Sequence, residues 1–258
     1  MKVTLLGCGP SQGVPVIGDR WGECDPDNPK NRRSRPSVFV ENRGVGVLVD
    51  TSPDIRNQLL DNDIRHVDAV LYTHLHYDHV GGIGELRTLS YLAKRRVDVY
   101  GTDDVMAHLV EHWGYLFEAG KSDDMNLYRP VASAHDIAYG TPFDVGGMEI
   151  VAFMQDHGIC ETAGFRFGKF AYSTDVAMLD DAAFAALDGI ELWIVDCLRE
   201  DPHPTHAHLE RTLEWIDRVK PRRAVFTHMN FQADYERFRS LCPPGVEPGY
   251  DGMVLEID

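Results

Sequence analysis

The chain has no apolar run approaching the roughly 20 residues that cross a bilayer, so no membrane segment is expected in its 258 residues. Cysteine is scarce too. Cys8, Cys24, Cys160, Cys197 and Cys242 are an odd, scattered set without a CxxC pair. That argues against a disulfide framework and fits a reducing compartment. Positive charge is also short: 25 Lys and Arg stand against 41 Asp and Glu, a formal net charge of −16. Such a chain repels long polyanions, so no long nucleic-acid partner is expected. A small phosphorylated substrate remains within reach, since a few local cations or metal ions suffice to hold it. The opening "MKVTLLGCGPSQG" runs from an apolar strand into a Gly/Pro/Ser turn without a signal-peptide pattern, and a cytoplasmic location is expected.

Repeats, low-complexity tracts and long linkers are missing as well, which predicts one domain over residues 1–258. What is present is a series of short, β-branched or aromatic runs bounded by turn residues: 2–7, 45–50, 67–74, 96–101, 148–157, 163–168, 170–175, 191–196 and 223–228. They read as strands, with a hairpin turning at Gly168–Lys169. Between them, 52–62, 84–95, 180–189 and 209–220 carry apolar residues at helical spacing, and 102–130 reads as a mostly helical insert. Strands alternating with helices predict an α/β layered fold.

Six of the strand runs end in Asp or His: Asp50, His74, His157, Asp175, Asp196 and His228. Sites on sheets are built from the loops at strand ends, where the backbone is rigid up to the last residue. The densest end is "THLHYDHVGG". If the chain stays extended there, His74 and His76 face one side and can share an ion, while Asp78 and His79 enter a turn and can face a second. Imidazole with carboxylate suits Zn²⁺, Mn²⁺ or iron. Two ions need more ligands than this stretch holds, and His157, Asp175 and His228 are the natural completions.

This pattern resembles the HxHxDH signature of the metallo-β-lactamase superfamily. The resemblance implies an αββα sandwich, two mixed β-sheets face to face with helices outside, and a site for two divalent metal ions, zinc or manganese. Carried over residue by residue, it implies that His74, His76 and His157 hold the first ion and Asp78, His79 and His228 the second, with Asp175 bridging. Further stretches, "GCGPSQGVPVIG" (7–18), "WGECDPDNPKNRRSRPS" (21–37), "DPHPTHAHLE" (201–210) and "GYDGMVLEI" (249–257), are similar to the branch of phosphoribosyl 1,2-cyclic phosphate phosphodiesterases. In that branch His206 matches a non-ligand active-site histidine. The branch's cysteine-rich, zinc-holding knuckle is reduced here to Cys24, and Phe231 stands where its histidine would fall. No structural zinc is therefore expected, and Asp25, Asn28, Asn31 and Arg33 are expected to hold that loop by hydrogen bonds.

The chemistry follows from the ions. Two cations about 3.5–4 Å apart lower the pKa of a bridging water toward 7 and draw charge from a phosphoryl oxygen. The expected activity is hydrolysis of small phosphodiesters, cyclic phosphates such as 5-phosphoribosyl 1,2-cyclic phosphate first, by attack of the bridging hydroxide. The alternatives are a tRNA 3′-end-type nuclease or other nucleotide phosphodiesterase, a lactam or thioester hydrolase, and a non-catalytic nucleotide sensor. Asp78 and His206 are the candidate catalytic residues, His206 protonating the leaving group or steadying a phosphate oxygen. In the cationic island "KNRRSR" (30–35), Arg33 and Arg35 are candidates to grip a substrate phosphate. Ser11, Gln12 and Gly13 offer backbone N–H groups to it, and His206 and His208 complete the candidate substrate-binding set. Asp50 and Asp196 are expected to orient metal-bound histidines, Trp113, Tyr115 and Phe117 to pack in the core. A homodimer is compatible with all of this.

Overall fold

Along the first strands, apolar side chains alternate between two destinations. Val3 and Leu5, Val38 and Val40, Val47 and Val49, and Ala69 and Leu71 point into one apolar cluster, which they share with Ile150, Ala152, Phe165 and Phe167. Their chain neighbours Leu6, Phe39, Leu48 and Val70 point the other way, against Ile55, Leu59, Leu86, Leu89 and Leu109. Side chains on a strand alternate faces, so this sheet is covered on both sides, by a second sheet and by helices. The computed structural model describes residues 1–118 and 129–257, and its layers are those of the αββα sandwich.

The first sheet contains β1 (Lys2–Gly7), β2 (Ser37–Asn42), β3 (Val45–Val49), β4 (Ala69–Leu71), β5 (Val97–Gly101), β6 (Ala132–Asp136) and β14 (Met253–Glu256), in the order β14-β1-β2-β3-β4-β5-β6. The second contains β7 (Pro142–Val145), β8 (Met148–Asp156), β9 (Glu161–Phe167), β10 (Phe170–Ser173), β11 (Leu192–Asp196), β12 (Arg223–Thr227) and β13 (Val246–Pro248), in the order β13-β12-β11-β10-β9-β8-β7. Each sheet is mixed. β3 to β6 run parallel and β10 to β13 run parallel, while the remaining pairs are antiparallel. The expected hairpin is there, Phe167 facing Phe170 across Gly168–Lys169, with Gly168 at φ +58°, a conformation glycine adopts without a Cβ penalty.

Helices α1 (Ile55–Asp61), α2 (Tyr77–Val80), α3 (Leu86–Ala93), α4 (Asp103–Phe117), α5 (Asp181–Ala186), α6 (Leu209–Val219) and α7 (Tyr235–Leu241) follow or join the strands. None of the described helices is long and apolar enough to cross a membrane. The insert expected over 102–130 is α4 as far as Phe117; residues 119–128 of that expectation lie outside the described residues. On α4, Phe117 is buried and Trp113 partly so, but Tyr115 is 52% exposed, against the core place expected for it.

Parallel strands aim their C-terminal ends at the same edge of a sheet. The ends of β3 and β4 therefore meet those of β10, β11 and β12 along one side of the sandwich, and every strand-end residue singled out in the sequence lies there. Three of them turn sharply. Asp50, Asp175 and His228 take φ of +62°, +53° and +58°, the left-handed region that costs a side-chain-bearing residue energy and that Asp and His tolerate better than most.

Candidate metal centre

After β4 the backbone stays extended through His76, whose φ of −63° and ψ of 146° put it just before α2. The rings of His74 and His76 come within 4.5 Å. α2 is a single turn that turns Asp78 and His79 inward, both buried. It is held against the loop after β3 by the Thr51 N–H donating to the His79 carbonyl and the Gly82 N–H donating to that of Thr51, each at 2.8 Å.

Beside a smaller cluster of Asp196, His206 and His228, two larger sets of ligand atoms result, each within 4.8 Å of one another: His74, His76, His157 and Asp175 in one, Asp78, His79, Asp175 and His228 in the other. These are the seven residues expected from the sequence, divided as expected, with Asp175 in both. Its Oδ1 is 3.8 Å from Nε2 of both His74 and His157 and 3.3 Å from Nε2 of His228. Its Oδ2 is 3.1 Å from Nε2 of His79.

The hydrogen bonds behind the rings decide which nitrogen faces the centre. His79 donates from Nδ1 to Asp50 Oδ2 at 2.6 Å. His74 donates from Nδ1 to Thr73 Oγ1 at 2.9 Å, and that hydroxyl donates to Asp50. His157 donates from Nδ1 to the Thr205 carbonyl at 2.6 Å. Each ring thereby turns its Nε2 toward the centre, the arrangement in which outer partners orient metal-binding histidines. Nε2 of His74, His79 and His228 are buried with no hydrogen-bond partner. Buried polar atoms are seldom left unpaired, and lone pairs converging with carboxylates fit divalent cations.

Electrostatics agree. Burial opposes charge on His79, yet the Asp175, Asp50 and Asp78 carboxylates override it and hold the imidazole well above its usual range. Burial opposes charge on His228 too, and Asp175 and Asp78 raise it to about 9. Conversely, burial would raise Asp175, but His228 and His79 pull it well below the usual carboxylate range. Asp175 and Asp78, held below the usual carboxylate range by the neighbouring histidines against the pull of burial, keep their negative charge and attract cations, protons or metal ions. His74, pushed down by burial and by neighbouring His79, is held neutral as a ligand must be.

His206 stands apart. It donates from Nδ1 to Asp196 Oδ2 at 2.9 Å, and its ring lies 4.6 Å from that of His228 and 4.7 Å from that of His157. Asp196 thus orients this histidine rather than a ligand of the two sets, a correction to its expected role. The other substrate-binding expectations divide. Ser11 and Gln12 are exposed on the turn closed by the Gly13 N–H to the Pro10 carbonyl. Gln12, Gly13 and Arg35 line one groove with Arg32 and Asp54, where Arg35 pairs with Asp54 at 2.9 Å. No residue of the two metal sets lines that groove.

Arg33 is the clearest departure. It is 2% exposed, and its guanidinium donates to the carbonyls of Asn230 (3.1 Å) and Ala233 (2.7 Å) and to Asn31 Oδ1 (3.3 Å). Together with Asn31 donating to Asp234 and to the Asp25 carbonyl, it fastens the 24–34 loop to the segment after His228. Both terminal nitrogens are spent inside the protein and the Nε is buried with them, so it holds the loop, as also expected, and not a phosphate. His208, expected in the substrate-binding set, is buried as the residue preceding α6 and makes no ring contact with the site histidines among the described residues, so the structure does not bring it together with them. Two contributors were missed. Thr205, through its carbonyl, carries no sequence signal; His203, 5.3 Å from His206 ring to ring, stood in plain view in the histidine-rich "DPHPTHAHLE".

The fold and this double ligand set define a class, and the comparisons agree with it. Residues 46–229 match the family model described as the beta-lactamase superfamily domain. The chain belongs to the metallo-β-lactamase superfamily. Among solved structures it is similar to a diphosphatase from the PhnP family, at 32% identity and a TM-score of 0.87, covering 99% of this chain and 97% of that one. Among curated proteins it is 30% identical over 263 residues to an octanoyltransferase of Porphyromonas gingivalis, covering all of this chain and 52% of that protein. It is 27% identical over 135 residues to a ribonuclease Z of Methanopyrus kandleri, covering 51% of this chain and 43% of that protein. The chain thus spans about half the length of these two curated relatives.

Proposed function

We propose that the chain is a metal-dependent phosphodiesterase that hydrolyses small phosphorylated substrates, cyclic phosphates such as 5-phosphoribosyl 1,2-cyclic phosphate foremost. The observation that carries this reading is His206, held by Asp196 beside both ligand sets but belonging to neither of the two. When bound, two divalent ions supply Lewis-acid charge for a phosphoryl oxygen and lower the pKa of water. The chain's own residues do the rest. Asp175 ties the two sets together, and Asp50, Thr73 and Thr205 lock the histidines in one orientation. Asp196 accepts the hydrogen bond from Nδ1 of His206, so that the doubly protonated ring would deliver its Nε2 proton to a departing oxygen and be left as the neutral Nδ1–H tautomer. The likeness to a PhnP-family diphosphatase supports phosphoryl chemistry over lactam or thioester hydrolysis.

The test is ³¹P NMR of 5-phosphoribosyl 1,2-cyclic phosphate with the Mn²⁺-reconstituted protein. Conversion to a ribose bisphosphate supports the reading; an unchanged spectrum with two metal ions bound removes this substrate.

A second reading, RNA 3′-end cleavage, draws on the resemblance to ribonuclease Z and on one surface. Arg87, Lys94, Arg95, Arg96 and Arg129 line a cleft with the exposed Tyr91 and Tyr115, a cationic and aromatic concentration in an acidic chain. It adjoins the N-terminal ends of β5 and β6, whereas the ligands sit at C-terminal strand ends. Cleavage of labelled precursor tRNA at catalytic enzyme levels would favour this reading.

A further inference from the structure

His203 belongs to neither ligand set, yet it continues the same array of rings. His206 packs on His228 and His157, and His203 packs on His206 at 5.3 Å. Among the described residues no ring contact joins His203 to His228 or His157. The order outward from the ligand sets is therefore His228 and His157, then His206, then His203, which is half-buried.

Thr205 settles which nitrogen of His203 carries the proton. Its backbone N–H lies 3.3 Å from Nδ1 and its hydroxyl 3.2 Å. A backbone N–H can only donate, so Nδ1 is the acceptor and the neutral ring keeps its proton on Nε2. No protein acceptor meets that Nε2 among the described residues. The same Thr205 accepts from His157 through its carbonyl, so one residue fixes a metal-set histidine and the outer histidine together.

We propose that His203 is a specificity-determining residue whose Nε2–H donates to an oxygen on the leaving portion of the substrate. This rests on the phosphodiesterase reading above. His206, beside the ligand sets, serves the departing ester oxygen, and a substrate that continues outward from that oxygen meets His203 next. A neutral N–H donor takes a hydroxyl, ether or phosphate oxygen alike, so the chemistry selected is an acceptor oxygen close to the broken ester. A ribose or a second phosphate supplies one; a bare aryl group does not.

The test is binding, by isothermal titration of the full chain loaded with two metal ions, which is independent of turnover. Inorganic phosphate probes the reacting position alone. Adenosine 3′-monophosphate adds the freed sugar hydroxyl. His203→Ala is expected to leave phosphate affinity within about twofold and to weaken the nucleotide about tenfold, the scale of one neutral hydrogen bond. His203→Gln, which keeps an N–H donor, is expected to recover most of that loss. In ¹⁵N NMR of the wild type, Nε2 of His203 is expected to be the protonated nitrogen. An equal loss for both ligands, no loss for either, or a proton on Nδ1 overturns the proposal. A wild-type protein that binds neither ligand overturns the phosphodiesterase reading and this assignment with it, a failure recognisable before any substitution is made.

Discussion

Asp50 accepts a 2.6 Å hydrogen bond from Nδ1 of His79, and the same carboxylate accepts the backbone N–H and hydroxyl of Thr73 at 2.8 Å each. Because Thr73 in turn accepts from His74, one buried carboxylate orients a histidine of each ligand set. An Asn at position 50 has one acceptor oxygen where three donors converge. Asp50→Asn is expected to weaken metal affinity by about 10–100-fold while circular dichroism shows the fold retained. Competition with a chelator measures it, and unchanged affinity would show that His79 finds its orientation elsewhere.

His206 and the ligands part company under mutation. His206→Ala is expected to lower turnover by about 10²–10⁴-fold, the range of a lost general acid, with two metal ions still bound. Asp175→Ala and His76→Ala are expected to lose metal and turnover together. Metal analysis alongside steady-state kinetics separates the cases; a His206→Ala variant at wild-type rate would remove the proton-donor role.

Arg33 and Arg35, two residues apart, are expected to answer to different assays. Arg33→Ala leaves the Asn230 and Ala233 carbonyls without their donors inside the protein, at about 1–3 kcal/mol each. Denaturant unfolding is expected to show a loss of about 3 kcal/mol, with Arg33→Lys recovering part of it, since an ammonium lacks the fork. Arg35→Ala removes a surface pair with Asp54 worth at most about 1 kcal/mol, so its stability should barely change. A larger stability loss for Arg35→Ala than for Arg33→Ala would contradict both placements.

Stability should also carry a mark of Asp251. Burial raises its carboxyl to about 6 despite hydrogen bonds from Ser34 and the Cys8 N–H. Its folded pKa exceeds its unfolded value, so between about pH 4 and pH 6 the folded state binds the extra proton. Its contribution is then present at low pH and lost as pH rises through 6, at up to about 1.4 kcal/mol per pH unit. Asp251→Asn is expected to flatten that component of the unfolding free energy across pH 4–6. If the variant and wild type run parallel there, Asp251 is not the source.

The metal residues were legible because their chemistry is local. "HLHYDH" shows itself in six positions, and His157, Asp175 and His228 end apolar runs that cannot be mistaken for surface. The strands missed from the pattern tell a different story. β6, β7, β13 and β14 are the edges of the two sheets, three to five residues long and partly exposed; their hydrophobic signal is weak because only one neighbour and one face hold them. β2 is no such case, since Val38, Phe39 and Val40 and the turn after Asn42 were readable. Arg33 could not be sorted from Arg35 by sequence, because what distinguishes them is a pair of carbonyls some 200 residues further on.

The left-handed turns at Asp50, Asp175 and His228 set the terms on which this protein can be altered or drift. A glycine at any of the three would relieve the backbone while dismantling the centre. Three strained bends are therefore kept for the reaction, and a lineage released from it should lose these three residues early. Backbone strain and activity are joined at the same three bends of the chain.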